Sequence, residues 1–143
     1  MNRKYLMIGV CAVAAVATYI LSRPAPTEEA THSATPEVNA LVEIQMPLIE
    51  GNAGIGQRIF ESACAACHGT NAVGVEGAGP PLIHVIYEPS HHADESFQRA
   101  VAMGVRSHHW RFGDMPPIAG LTRGDVAMVI AYLREIQRAN GIN

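Results

Sequence analysis

Residues 64–68 read Cys64-Ala65-Ala66-Cys67-His68, two cysteines three apart with a histidine directly behind the second. On a helix, positions three apart share a face, so both thiols can reach one flat ligand while the imidazole falls beneath its centre. This is the spacing of covalent haem c attachment, in which each thiol adds to one vinyl group of the porphyrin and the histidine takes an axial place on the iron. Two other chemistries use paired cysteines. A redox dithiol of the thioredoxin kind needs a βαβ setting and has no use for the following histidine. A structural zinc site needs a second pair, whereas the one other cysteine, Cys11, stands far upstream in an apolar run. The pattern predicts one haem c held by Cys64 and Cys67, with His68 as a metal ligand.

Outward from the motif, the periodicity is helical. Ile55, Ile59, Phe60 and Ala63 recur at helical spacing behind a start signal at Asn52, which predicts a first helix running into the cysteine pair. Gly69, Gly74, Gly77, Gly79, Pro80, Pro81 and Pro89 then break any period and read as loop. A second helix is expected over Asp94 to Met103. The last helix has the firmest signals: Thr122-x-x-Asp125 is a capping-box variant, Val126, Val129, Ile130, Leu133 and Ile136 form one stripe, and Asn140-Gly141 stops it. No strand pattern or internal repeat is present. The expected fold class is all-α, three to five helices with long Gly/Pro loops. Aromatic residues make up 6% of the chain, one Trp and three Phe among them, which is thin for an unaided core and fits a prosthetic group at its centre.

The chain of 143 residues has room for one core. Asn2-Arg3-Lys4 precedes Tyr5 to Leu21, 17 residues without charge, so residues 1–21 are expected to be a membrane anchor or a signal sequence. The run suits a short span entering with its positive end inside; Ala15-Val16-Ala17 offers a cleavage site to the alternative, an export signal. Residues 22–51, rich in Pro, Ala, Thr and Glu, read as a flexible tether, and residues 52–143 as the folded domain. The tether carries five Glu against one Arg, whereas residues 53–143 carry seven Arg against eight acids. A domain so near neutrality, in a chain with Lys4 as its only lysine, has no basic stripe for a phosphate backbone, which excludes nucleic acid as a partner.

With these features together, the region from about Ala53 to Gly141 resembles a class I c-type cytochrome domain, the cytochrome c fold wrapped around one covalently bound haem. In that family a Gly-Pro-x-Leu loop follows the haem motif, and Gly79-Pro80-Pro81-Leu82 is similar. The resemblance implies that the Pro80 carbonyl accepts the ring N–H of His68, fixing its orientation and raising its basicity, and that Leu82 lies against the porphyrin. The family's second axial ligand is a Met on a Met-Pro loop, and Gly113-Asp114-Met115-Pro116-Pro117 matches it; Met103 and Met128 read instead as helix-end or core packing. Gly56, Phe60 and Tyr132 match the positions where first and last helices meet in relatives. His/Met ligation favours Fe(II) and fills the sixth position, so the resemblance implies an electron carrier, not an enzyme, with no small-molecule substrate at the haem.

Five further histidines of the domain, His84, His91, His92, His108 and His109, depart from a minimal fold of this kind. Trp110 and Arg111 are candidate donors to the haem propionates. The paired histidines read as solvated loop residues, because neighbours in sequence do not ordinarily reach one ion. The expected setting is the bacterial inner membrane, with the haem domain facing the periplasm, or a soluble periplasmic protein after cleavage. The expected partners are redox proteins, namely a quinol-oxidising complex, a terminal oxidase or a dehydrogenase. A fixed haem subunit of a dehydrogenase or oxidase complex is the alternative to a mobile carrier.

Overall fold

A computed structural model describes residues 40–143; the expected anchor at residues 5–21 and most of the expected tether lie outside the described residues. Four α-helices are present among the described residues: α1 (Gly51–Ala63), α2 (Ala65–His68), α3 (Asp94–Met103) and α4 (Arg123–Ala139). Two single 3-10 turns, Thr70–Ala72 and Val85–Tyr87, lie in the loop between α2 and α3. Extended pairing among the described residues is limited to two isolated antiparallel bridges, Val75 with Gly79 and Val105 with Met115. The fold is all-α, as the periodicity requires.

Helix α1 buries Ala53, Gly56 and Phe60. The expected apolar face is displaced, since Ile55 is 43% exposed. The reason is Gly56: it carries no hydropathy signal, yet a Cβ there would stand 1.8 Å from the Met128 carbonyl oxygen, so the α4 backbone occupies the space a side chain would need. One turn on, Phe60 meets Tyr132 at a ring-centroid distance of 5.6 Å with planes tilted by 53°. Helix α1 starts after Glu50, two residues ahead of Asn52, and no side chain caps it.

Helix α4 begins with a complete capping box, Asp125 N–H donating to the Thr122 hydroxyl oxygen at 3.2 Å and Thr122 N–H to the Asp125 carboxylate at 2.8 Å. Its buried face is wider than the predicted stripe, taking in Tyr132, Arg134 and Gln137 beside Val126, Val129, Ile130, Leu133 and Ile136. The polar members tie loops down. Gln137 Nε2 donates to the Leu82 carbonyl at 2.9 Å. The buried Arg134 guanidinium donates to Asp94 at 2.9 Å and to the carbonyls of Tyr87 and His92, both at 2.6 Å, and lies 5.0 Å from the centre of the Phe97 ring.

Packed chain begins before the Asn52 boundary. Leu41 N–H donates to the Val73 carbonyl at 3.0 Å, Gln45 and Asn140 exchange two bonds of 2.8 Å, and Ile44, Met46 and Ile49 pack on the core cluster. A small apolar set inside a Pro/Glu-rich stretch is too short to stand out from the composition around it. No helix of the described residues is long and apolar enough to cross a membrane.

Candidate functional site

The cysteines stand where α1 ends. Cys64 breaks the helix, its backbone leaving helical geometry, and the chain restarts as the one-turn helix α2 that carries Cys67 and His68. Gly79 holds the following loop against this turn: a Cβ on it would lie 2.5 Å from the Cys67 carbonyl oxygen. Burial, and then the neighbouring Cys67, push the free Cys64 thiol up to about 11, so at neutral pH it is protonated. An activated redox dithiol requires the opposite shift.

Cys64 and His68 line a cavity of about 750 Å³ together with Phe60, Leu82, Tyr87 and Phe97, closed on the far loop by residues 104–110, Phe112, Gly113 and Met115 and on α4 by Val126, Val129 and Leu133. The lining is mostly apolar, with polar groups at a few places, as a cofactor site requires. His68 Nδ1 is 2.9 Å from the Pro80 carbonyl oxygen, which can only accept, so the proton sits on Nδ1 and the lone pair on Nε2. Burial lowers the pKa of His68, the bond to Pro80 opposing it. The ring is therefore a neutral, oriented donor to a metal. Leu82 lines the cavity and is anchored twice, its N–H to the Ala72 carbonyl at 2.8 Å and its carbonyl to Gln137.

Met115 reaches the same cavity from the loop after α3. Its N–H and C=O both bond Val105, each at 2.9 Å, and Gly104, at φ +75°, lets the strand come close, since a Cβ there would meet the Met115 carbonyl oxygen at 2.5 Å. Met103 also lines the cavity but is 67% exposed at the end of α3, without such anchoring. Met128 lies on α4 with its backbone beneath Gly56.

Trp110 lines the cavity, and its indole N–H is buried without a hydrogen-bond partner. Tyr87 is near enough for its pKa, raised by burial, to feel the indole, yet no bond of acceptable geometry joins them. Arg111 is exposed and is not among the lining residues; Arg99 and Arg106, also exposed, are. His84 spends its Nδ1 on the Ile86 N–H at 3.2 Å and stands edge-on to Trp110 with ring centres 5.1 Å apart.

The family model for cytochrome c matches residues 53–137. The chain belongs to the cytochrome c family. No curated protein matched the chain. Membership implies a covalently bound haem c, and the cytochrome c domain contains both Cys64 and Cys67. The site fits such a group on its own chemistry: paired thiols at a break in the helix, a neutral imidazole with its lone pair free, a thioether on the facing loop, and a buried indole N–H that lacks an acceptor, as a propionate would be. Bound there, haem would supply a one-electron Fe(III)/Fe(II) couple, and the protein is a haem protein of electron transfer. Cys64 and Cys67 would hold it, with His68, Leu82 and Met115 against it.

Sequence reasoning passes over Gly104, Arg134, Gln137 and Phe97. Gly104 has a legible signal, a glycine directly behind a helix. A buried Arg or Gln on a helix stripe has none, because its partners are backbone carbonyls of distant loops.

Proposed function

We propose that this cytochrome c is a monohaem one-electron carrier with His68 and Met115 as iron ligands, tethered through residues 5–21 to the outer face of the bacterial inner membrane. One observation carries the reading. A neutral imidazole oriented by Pro80 and a thioether anchored through Val105 line a single cavity. With haem bound, the Met115 thioether on the iron would favour Fe(II) and keep exogenous ligands off the metal, which suits one-electron transfer without a substrate at the iron. The chain's own residues do the rest: the apolar walls from α1, α3 and α4 exclude water, and Trp110 offers its N–H to a carboxylate. The tether would confine the domain near the membrane and raise its effective concentration at membrane-bound donors and oxidases.

The test is the optical spectrum of the full-length protein in both oxidation states, with carbon monoxide added to the reduced form. A c-type spectrum with the weak long-wavelength Met-to-ferric-iron band, unchanged by carbon monoxide, is expected. Absence of the band with ready carbon monoxide binding would overturn the ligand pair. The near-neutral domain favours a second reading, a haem subunit fixed in one dehydrogenase or oxidase complex, because free carriers commonly use strong charge for steering. Co-purification of one stoichiometric partner in mild detergent separates the two.

A further inference from the structure

Two loops bring four histidines to one edge of the cavity. His91 and His92 lie in the turn before α3, and His108 and His109 in the loop before Met115; all four line the cavity. Neighbours in sequence do not ordinarily reach one ion, but the turn at 89–92 sets both rings on one side, with centres 4.7 Å apart. His91 Nε2 is 3.3 Å from His109 Nε2. One ligating atom from each of His91, His92 and His109 lies within 4.8 Å of the other two.

We propose that His91, His92 and His109 form a binding site for a borderline divalent transition cation, Zn²⁺ or Cu²⁺, at the edge of the haem cavity. Three features of the geometry support it. First, two nitrogens on a tetrahedral Zn²⁺ at ordinary bond lengths stand about 3.3 Å apart, the spacing at which His91 and His109 already face each other. Second, the rings are held from behind. His92 Nδ1 must carry its proton, because it bonds the Ile86 carbonyl at 2.6 Å, and this leaves the Nε2 lone pair for a metal. His108 Nδ1 does likewise with the Arg106 carbonyl at 2.9 Å, so His108 Nε2 can complete the set or leave the place to water. Third, both loops are pinned: His91 and His92 N–H donate to the Glu88 carbonyl at 3.1 and 2.8 Å, Arg134 holds the His92 carbonyl, and Ser107 bonds the Asp114 carboxylate through its N–H and the Trp110 carbonyl through its hydroxyl. Imidazole ligands without thiolate or carboxylate suit Zn²⁺ and Cu²⁺ over Mg²⁺ or Ca²⁺.

Among the described residues no carboxylate pairs with any of the four rings. No ion pair therefore has to be broken for a cation to enter between the rings.

The experiment uses untagged full-length holoprotein, stripped with a chelator, in a His32→Ala background so that the histidine outside the described residues supplies no ligand. Zn²⁺ is titrated by calorimetry and Cu²⁺ by electron paramagnetic resonance. The expected result is one ion per chain with a dissociation constant of about 1 μM or tighter, nitrogen couplings from at least three imidazoles on Cu²⁺, and affinity reduced at least about tenfold in His91→Asn and in His109→Asn. The haem spectrum and circular dichroism of both variants report that they are folded. Absence of stoichiometric binding, or affinity unchanged in folded variants, would overturn the proposal.

Discussion

His68 enters the cavity neutral because burial disfavours the imidazolium, and oriented because the Pro80 carbonyl takes the Nδ1 proton. Met115 is held by its backbone, through the two bonds to Val105, so its side chain can be removed without loosening the loop. Met115→Ala should therefore leave the haem covalently attached and the helices intact while opening the iron: the Met-to-iron band disappears and carbon monoxide binds the reduced protein, both read optically. Cys64, Cys67 and His68 are legible because attachment imposes a local spacing. Arg111 is a candidate on residue type beside Trp110; it does not line the cavity, whereas Arg99 and Arg106, exposed as it is, do. Side-chain direction on an irregular loop has no period to read.

The approach of α1 to α4 depends on Gly56, whose missing Cβ makes room for backbone atoms of Met128 and Val129 that cannot rotate aside. Gly56→Ala should force the helices apart and destabilise the protein by about 1–3 kcal/mol or more, beyond any helix-propensity gain, measured by denaturant unfolding of the holoprotein. Arg134 is the corresponding tie between α4 and the 84–94 segment. Truncation to Ala leaves the Tyr87 and His92 carbonyls and the buried Gln137 amide oxygen without this donor, while Asp94 stays solvated, with an expected cost of about 1–3 kcal/mol for each buried group left unpaired. Lys keeps the charge but loses the planar fork, so Arg134→Lys should restore only a small part, by the same measurement. The helix boundaries of α4 are readable from its cap and stripe; the buried face of α1 is not, because a glycine at a close contact looks like no contact at all.

The whole molecule, over its described residues, is a helical shell around a cavity of about 750 Å³ with few aromatic side chains to fill it. Cys64→Ala combined with Cys67→Ala should abolish covalent haem and with it cooperative unfolding, followed by circular dichroism with temperature; a sharp transition in the haem-free variant would show a self-sufficient core. Residue types at short, fixed spacing are enough to indicate the covalent cofactor, the all-α class and the cap and stripe of α4, because each is a local pattern, and the family resemblance adds the Met-Pro loop. Which residues face one another across longer spans is set by packing: segment 41–49 against the core, Arg134 on distant carbonyls, Arg99 and Arg106 at the cavity, and His91, His92 and His109 at its edge. These contacts join residues far apart in the chain through loops without periodicity, and loop paths are set by the body they pack on.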